Sequence, residues 1–139
     1  MTFLERTYYG VLVVTIACFG WYFLDTFTSV DIATAAISDH TSSIWIMFGI
    51  YIALTIAVAI ITWFIDREAE DEFDERDNKI DMFAERVCSY FQAFALLGIL
   101  FLVMYEFSAF LVTHIVLATV VMTNVIGLSV RLYLYHRGI

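Results

Sequence analysis

The chain contains no proline, two cysteines and only seven lysines and arginines in 139 residues. Without proline, no helix has to kink for want of a backbone N–H. The broken helices of many transporters are thereby less expected, although glycine can also break a helix. Two cysteines are too few for a disulfide framework. Cys18 falls in the middle of one apolar run and Cys88 at the end of another, so the pair sits at different depths and both read as packing residues. Motifs of catalysis are missing too. There is no H-E-x-x-H, G-x-S-x-G, phosphate loop or C-x-x-C, the arrangements that zinc hydrolysis, serine nucleophiles, nucleotide binding and thiol redox chemistry require. The expectation is a non-enzymatic protein without a cofactor.

Apolar sequence is what the chain has in abundance. It is 62% hydrophobic with a mean hydropathy of +0.84, against roughly 45–50% apolar for a soluble domain. Four stretches stand out, at about 8–27, 44–65, 88–105 and 111–135. Each approaches the ~20 residues that cross a bilayer as a helix. They consume most of the length, so residues 1–139 read as one integral membrane domain. The fold class expected is all-α transmembrane, a four-helix bundle. The run 87–135 stays apolar throughout, and as one helix it would be ~70 Å long. It must turn, and the polar residues Glu106, Ser108, Thr113 and His114 put the turn between Glu106 and Thr113. Arg6, the first run and Ala33-Thr34-Ala35 mimic a secretory signal, but 8–27 is long and aromatic for one and reads as a true span.

The few basic residues are all on one side of this layout. Arg6, Arg67, Arg76, Lys79, Arg86, Arg131 and Arg137 lie in the N-terminus, the central connector or the C-terminal end. Basic residues near span ends set orientation, so both termini and the connector are expected in the cytoplasm, with the protein multi-pass in the cell membrane.

The connector, 66–87, is strongly acidic. Asp66 to Arg86 holds ten acidic and four basic residues, which argues against nucleic acid and anionic lipid surfaces and suits a basic protein partner or a divalent cation. It lacks glycine and proline. Glu72–Arg76 and Glu75–Lys79 are i,i+4 pairs in the favourable order, and Phe73, Ile80, Phe83 and Val87 make a narrow apolar stripe. It reads as helical with a bend near Asp77-Asn78, presenting Glu70, Asp71, Glu72, Asp74, Glu75 and Asp77 as a contact surface.

At the other face Asp25, Glu106 and His114 end or begin three spans and His40 lies in a nearby loop. Carboxylates and imidazoles at one depth can bind a cation or relay a proton. Asp39 or Ser42 can cap the second helix. Deeper in the spans, Gln92 and Asn124 can hydrogen-bond between helices. Arg131 can snorkel or pair with a connector acid such as Glu85. Gly49, Ala53 and Ala57 form a small-residue face on the second span, suited to tight packing within the bundle or between subunits. Similar openings and endings of spans one and three, and of two and four, suggest two hairpins related by an axis along the membrane normal.

Asp74-Glu75-Arg76-Asp77 followed by Ile80 and Glu85-Arg86, together with the ending Arg131-Leu132-Tyr133-Leu134-Tyr135-His136-Arg137-Gly138, resembles a family of small four-span prokaryotic membrane proteins of unknown function. Members carry an Asp-Glu-Arg-Asp segment before the third span and a Tyr-Arg-Arg-Gly-like C-terminus. The resemblance spans Asp74 to Gly138 and departs at His136, where arginine is usual. It implies a four-helix membrane protein and supplies no activity. The leading functional expectation is a membrane interaction or regulatory protein, oligomeric and first of all a homodimer, with the acidic helix as its contact. The alternative is a small oligomeric transporter or channel for protons or cations, using Asp25, Glu106, His114 and His40.

Overall fold

A computed structural model describes residues 3–31, 34–65 and 75–138. It is all-helical: α1 (Phe3–Ser29), α2 (Ile37–Ile65), α3 (Glu75–Met104) and α4 (Ala109–Arg137). Each is long and apolar enough to cross a membrane, which supports a multi-pass membrane protein. Every helix extends beyond the apolar stretch that marks it in the sequence. Hydropathy reports only the part that needs lipid, whereas the i to i−4 ladder continues into polar flanks. α2 thus starts seven residues ahead of Ile44. Asp39 falls inside its first turn, where its charge complements the helix dipole, and neither it nor Ser42 is the cap.

The α3–α4 turn closes without glycine or proline. Phe107 N–H donates to the Leu102 carbonyl and Glu106 N–H to the Val103 carbonyl, both at 3.1 Å. This is a Schellman closure, which needs a left-handed residue at its C′ position. Glu106 takes that role, with φ 56°, where glycine is usual. Ser108 then caps α4, its Oγ accepting from Leu111 N–H at 3.3 Å.

α1 and α2 form one hairpin, α3 and α4 the other, and α1 packs along α4. Both termini lie at one end, the termini end, and the two short connections at the opposite, hairpin end. Buried positions on α1 (Thr15, Phe19, Tyr22, Thr26) alternate steps of four and three, the spacing of knobs-into-holes packing at shallow crossing angles. α4 answers with Phe110, His114, Leu117, Val121 and Leu128. The core joins Phe19 and Tyr22 of α1, Met47 of α2, and Leu117 and Val121 of α4. Gly10 lets α1 close on α2, since a Cβ there would stand 2.5 Å from Val58 Cγ1.

Among the described residues α3 makes close approaches to α4 alone, and none to α2. An axis relating the two hairpins would pair α2 with α3 as it pairs α1 with α4, so the repeat suggested by the span ends does not extend to packing. The face of α3 within the apolar stretch is open, with Tyr90 and Phe94 at 73% and 82% exposure. Gly49, Gly20 and Gly98 face open space, so the Gly49–Ala57 face packs against nothing within the chain at its glycine.

Candidate functional site

Polar side chains collect in three layers along α4. At the termini end Arg131 of α4 pairs with Asp81 of α3, Nε to Oδ1 at 2.6 Å, the side chains 20% and 25% exposed. A carboxylate one turn from Glu85 is the partner, because Asp81 shares the α4-facing side of α3 with Ile80 and Ala84, both buried. Tyr135 Oη donates to Asp77 Oδ1 at 2.5 Å, and Arg76 Nη2 donates to the Tyr135 carbonyl at 3.3 Å. Tyr8 of α1 completes the group: its ring lies 6.2 Å from that of Tyr135 and 5.7 Å from the Arg131 guanidinium. Two segments fifty or more residues apart, the one from Arg76 to Asp81 and the one from Arg131 to Tyr135, therefore meet in space. Gly127 adjoins them, where a Cβ would stand 2.9 Å from Cys88 Sγ and 3.2 Å from Arg131 Nη1.

The middle layer joins three helices. Asn124 Nδ2 of α4 donates to Tyr51 Oη of α2 at 2.8 Å, and Tyr51 Oη lies 3.3 Å from Thr15 Oγ1 of α1. Thr15 has one hydroxyl hydrogen, which its 2.8 Å contact to the Val11 carbonyl takes, so Tyr51 donates to Thr15 and the chain of donors runs one way. Gln92, by contrast, is exposed beside a gap of ≈ 240 Å³ between α3 and α4, with Thr119 opposite.

Near the hairpin end His114 is buried, 1% exposed. Its Nδ1 lies 2.8 Å from the Phe110 carbonyl, which can only accept, so Nδ1 carries the hydrogen. Nε2 then accepts from Tyr22 Oη at 2.9 Å. The Phe110 ring is 4.1 Å from the His114 ring and 5.2 Å from that of His40, so it lies against both imidazoles. Asp25 and Glu106 are exposed, and Glu106 is occupied in shaping the turn. Among the described residues no group of three or more His, Cys, Asp or Glu is placed to hold a metal ion. Asp25, Glu106, His114 and His40 thus share an end of the molecule, without forming one ligand set.

Of the acidic contact residues, Glu70, Asp71, Glu72 and Asp74 lie outside the described residues, as does Phe73 of the stripe. Glu75 is exposed and pairs with Lys79 at 3.0 Å. Asp77 is half-buried against Tyr135. α3 runs unbroken through Asp77 and Asn78, where a bend was expected. The stripe divides, Ile80 turning in and Phe83 out at 51% exposure.

Tyr8, Thr15, Tyr22, Tyr51 and Asp81 carry these layers, and reading for polar residues in the spans passes over most of them because tyrosine and threonine count as ordinary span residues. The recoverable signal is the recurrence of Tyr8, Thr15 and Tyr22 every seven residues on α1, a polar row on the packing seam. No family model, curated protein or solved structure matches the chain.

Proposed function

We propose that the chain is a non-enzymatic interaction or regulatory protein of the cell membrane, oligomeric and in the simplest case a homodimer. Both termini and the acidic connector face the cytoplasm in this reading, supported by the one-sided placement of the seven basic residues. The observation that carries the proposal is the docking of the charged half of α3. Glu75 to Val87 makes ~20 Å of helix, held to α4 through Ile80, Ala84, Asp81 and Asp77. The opposite side displays Met82 and Phe83, 55% and 51% exposed, among Glu75, Lys79, Glu85 and Arg86. A rigid helix face with apolar anchors inside a charged rim has the anatomy of a protein contact. The acidic residues ahead of it extend the charge complementary to a basic partner. The membrane-level counterpart is the open small-residue face of α2, suited to a second copy.

Charge reversal at Glu70, Asp71, Glu72, Asp74 and Glu75, combined with Phe83→Ser, is the test. Contact with a basic partner predicts loss of the co-purifying protein while thermal unfolding of the bundle is unchanged. An unchanged complement of co-purifying protein rejects the reading. Asp77 is left out of that set because it holds Tyr135.

A second reading, proton or cation transport, draws on the buried His114–Tyr22 pair, since an ionisable group inside a spanning helix is a candidate relay. Liposomes carrying the protein would then show a flux that His114→Phe abolishes. A flux equal to that of empty vesicles rejects it.

A further inference from the structure

A groove of ≈ 540 Å³ runs between α1 and α2 at the hairpin end, opening sideways from the bundle. Its deeper walls are Ala17, Cys18, Ile46, Met47 and Ile50, and its mouth carries Trp21, Asp25 and Ser43. The groove is therefore amphipathic along its length: apolar walls for a hydrocarbon chain, with a carboxylate, a hydroxyl and an indole N–H at the mouth. Among the described residues the Asp25 carboxylate, the Ser43 hydroxyl and the Trp21 N–H have no hydrogen-bond or ion-pair partner. The Asp25 interactions that do exist use its backbone carbonyl, which accepts from Ser29 and Thr28. No lysine or arginine lies on α1 beyond Arg6 or anywhere on α2, and His40 of α2 lies with its ring against Phe110, so no lysine or arginine of these helices supplies Asp25 with a counter-charge. Trp21 is 76% exposed, and tryptophan favours the depth of lipid headgroups.

We infer that this groove binds one phospholipid of the bilayer whose headgroup ends in a primary ammonium. The ammonium donates to the Asp25 carboxylate, a charge-assisted bond of the strong class. Ser43 Oγ–H and Trp21 Nε1–H donate to the phosphate or ester oxygens, and one acyl chain lies against Ile46, Met47 and Ile50. An anionic headgroup without an amine meets a lone carboxylate there and is disfavoured. The inference rests on the membrane-spanning reading and is independent of what the connector contacts.

Native mass spectrometry of the full chain from mixed micelles tests it. The probes are phosphatidylethanolamine and phosphatidylglycerol with the same acyl chains. The expected result is one retained phosphatidylethanolamine, about tenfold preferred, a factor corresponding to ~1.4 kcal/mol. Asp25→Asn should bring the ratio to near one, and Asp39→Asn, an exposed acid outside the groove, should leave it unchanged. Ile46→Trp, which fills the groove, should lower retention of both lipids. Equal retention of the two headgroups, an undiminished preference in Asp25→Asn, an equal loss in Asp39→Asn or full retention in Ile46→Trp would each overturn it. Resistance of the protein to alkaline extraction from membranes separately tests the spanning reading, so the two failures are distinguishable.

Discussion

The two ends of the helix assembly use charge in opposite ways. At the termini end Arg131, Asp81, Asp77, Arg76 and Tyr135 are engaged with one another across α3 and α4. At the hairpin end the buried His114–Tyr22 bond joins α1 to α4, while the Asp25 carboxylate stands without a protein partner among the described residues. Charge at one end ties α3 to α4, whereas Asp25 at the other makes no such tie among the described residues. A partly buried ion pair is costly to break from one side because the remaining charge loses its compensation. An exposed carboxylate can be replaced with little effect on folding.

Arg131→Ala is the hardest blow to this contrast. It should destabilise by about 2–3 kcal/mol, less than the ~3–5 kcal/mol of a fully buried pair since both side chains retain some exposure. Thermal unfolding in micelles reads it, and the double variant Arg131→Met with Asp81→Leu should be milder than Arg131→Ala alone. Tyr22→Phe removes the donor to the buried His114 Nε2 and should cost about 1–2 kcal/mol, seen as a lower Tm. Glu106→Gly should move the other way and stabilise by about 0.5–1 kcal/mol, because it relieves a left-handed residue with a side chain. If Glu106 were an essential cation ligand instead, that variant would lose ion-dependent stabilisation. Asp25→Asn should change stability by less than about 0.5 kcal/mol in lipid-free micelles. A large loss there would erase the distinction between the ends.

The four helices are legible in the sequence because apolar length is a direct demand of the bilayer. The turn near Glu106 is legible to within a few residues for the same reason, but its chemistry is not: a glutamate in the left-handed region has no sequence signature. The open attachment of α3 is also hidden. Hydropathy cannot separate a lipid-facing span from one buried among helices, since Leu and Phe suit both. Arg131 was visible as a residue in search of an acid, whereas the choice of Asp81 over Glu85 depends on which side of α3 faces α4. The acidic, histidine-bearing end was visible as a composition. That Phe110 lies against both histidines and that Asp25 opens onto a different groove are facts of helix rotation.

The order in which α3 and α4 are made sets when the Arg131–Asp81 pair can form. α3 leaves the ribosome before α4, and none of its most apolar window is buried inside the folded chain. It can therefore reside in lipid as a lone helix, its charged half waiting at the surface. Asp81 is already at that boundary when Arg131, fifty residues later, arrives on the returning helix. The ion pair can close only once Arg131 has emerged, so a chain that stops short of it carries α3 without this charged tie to α4.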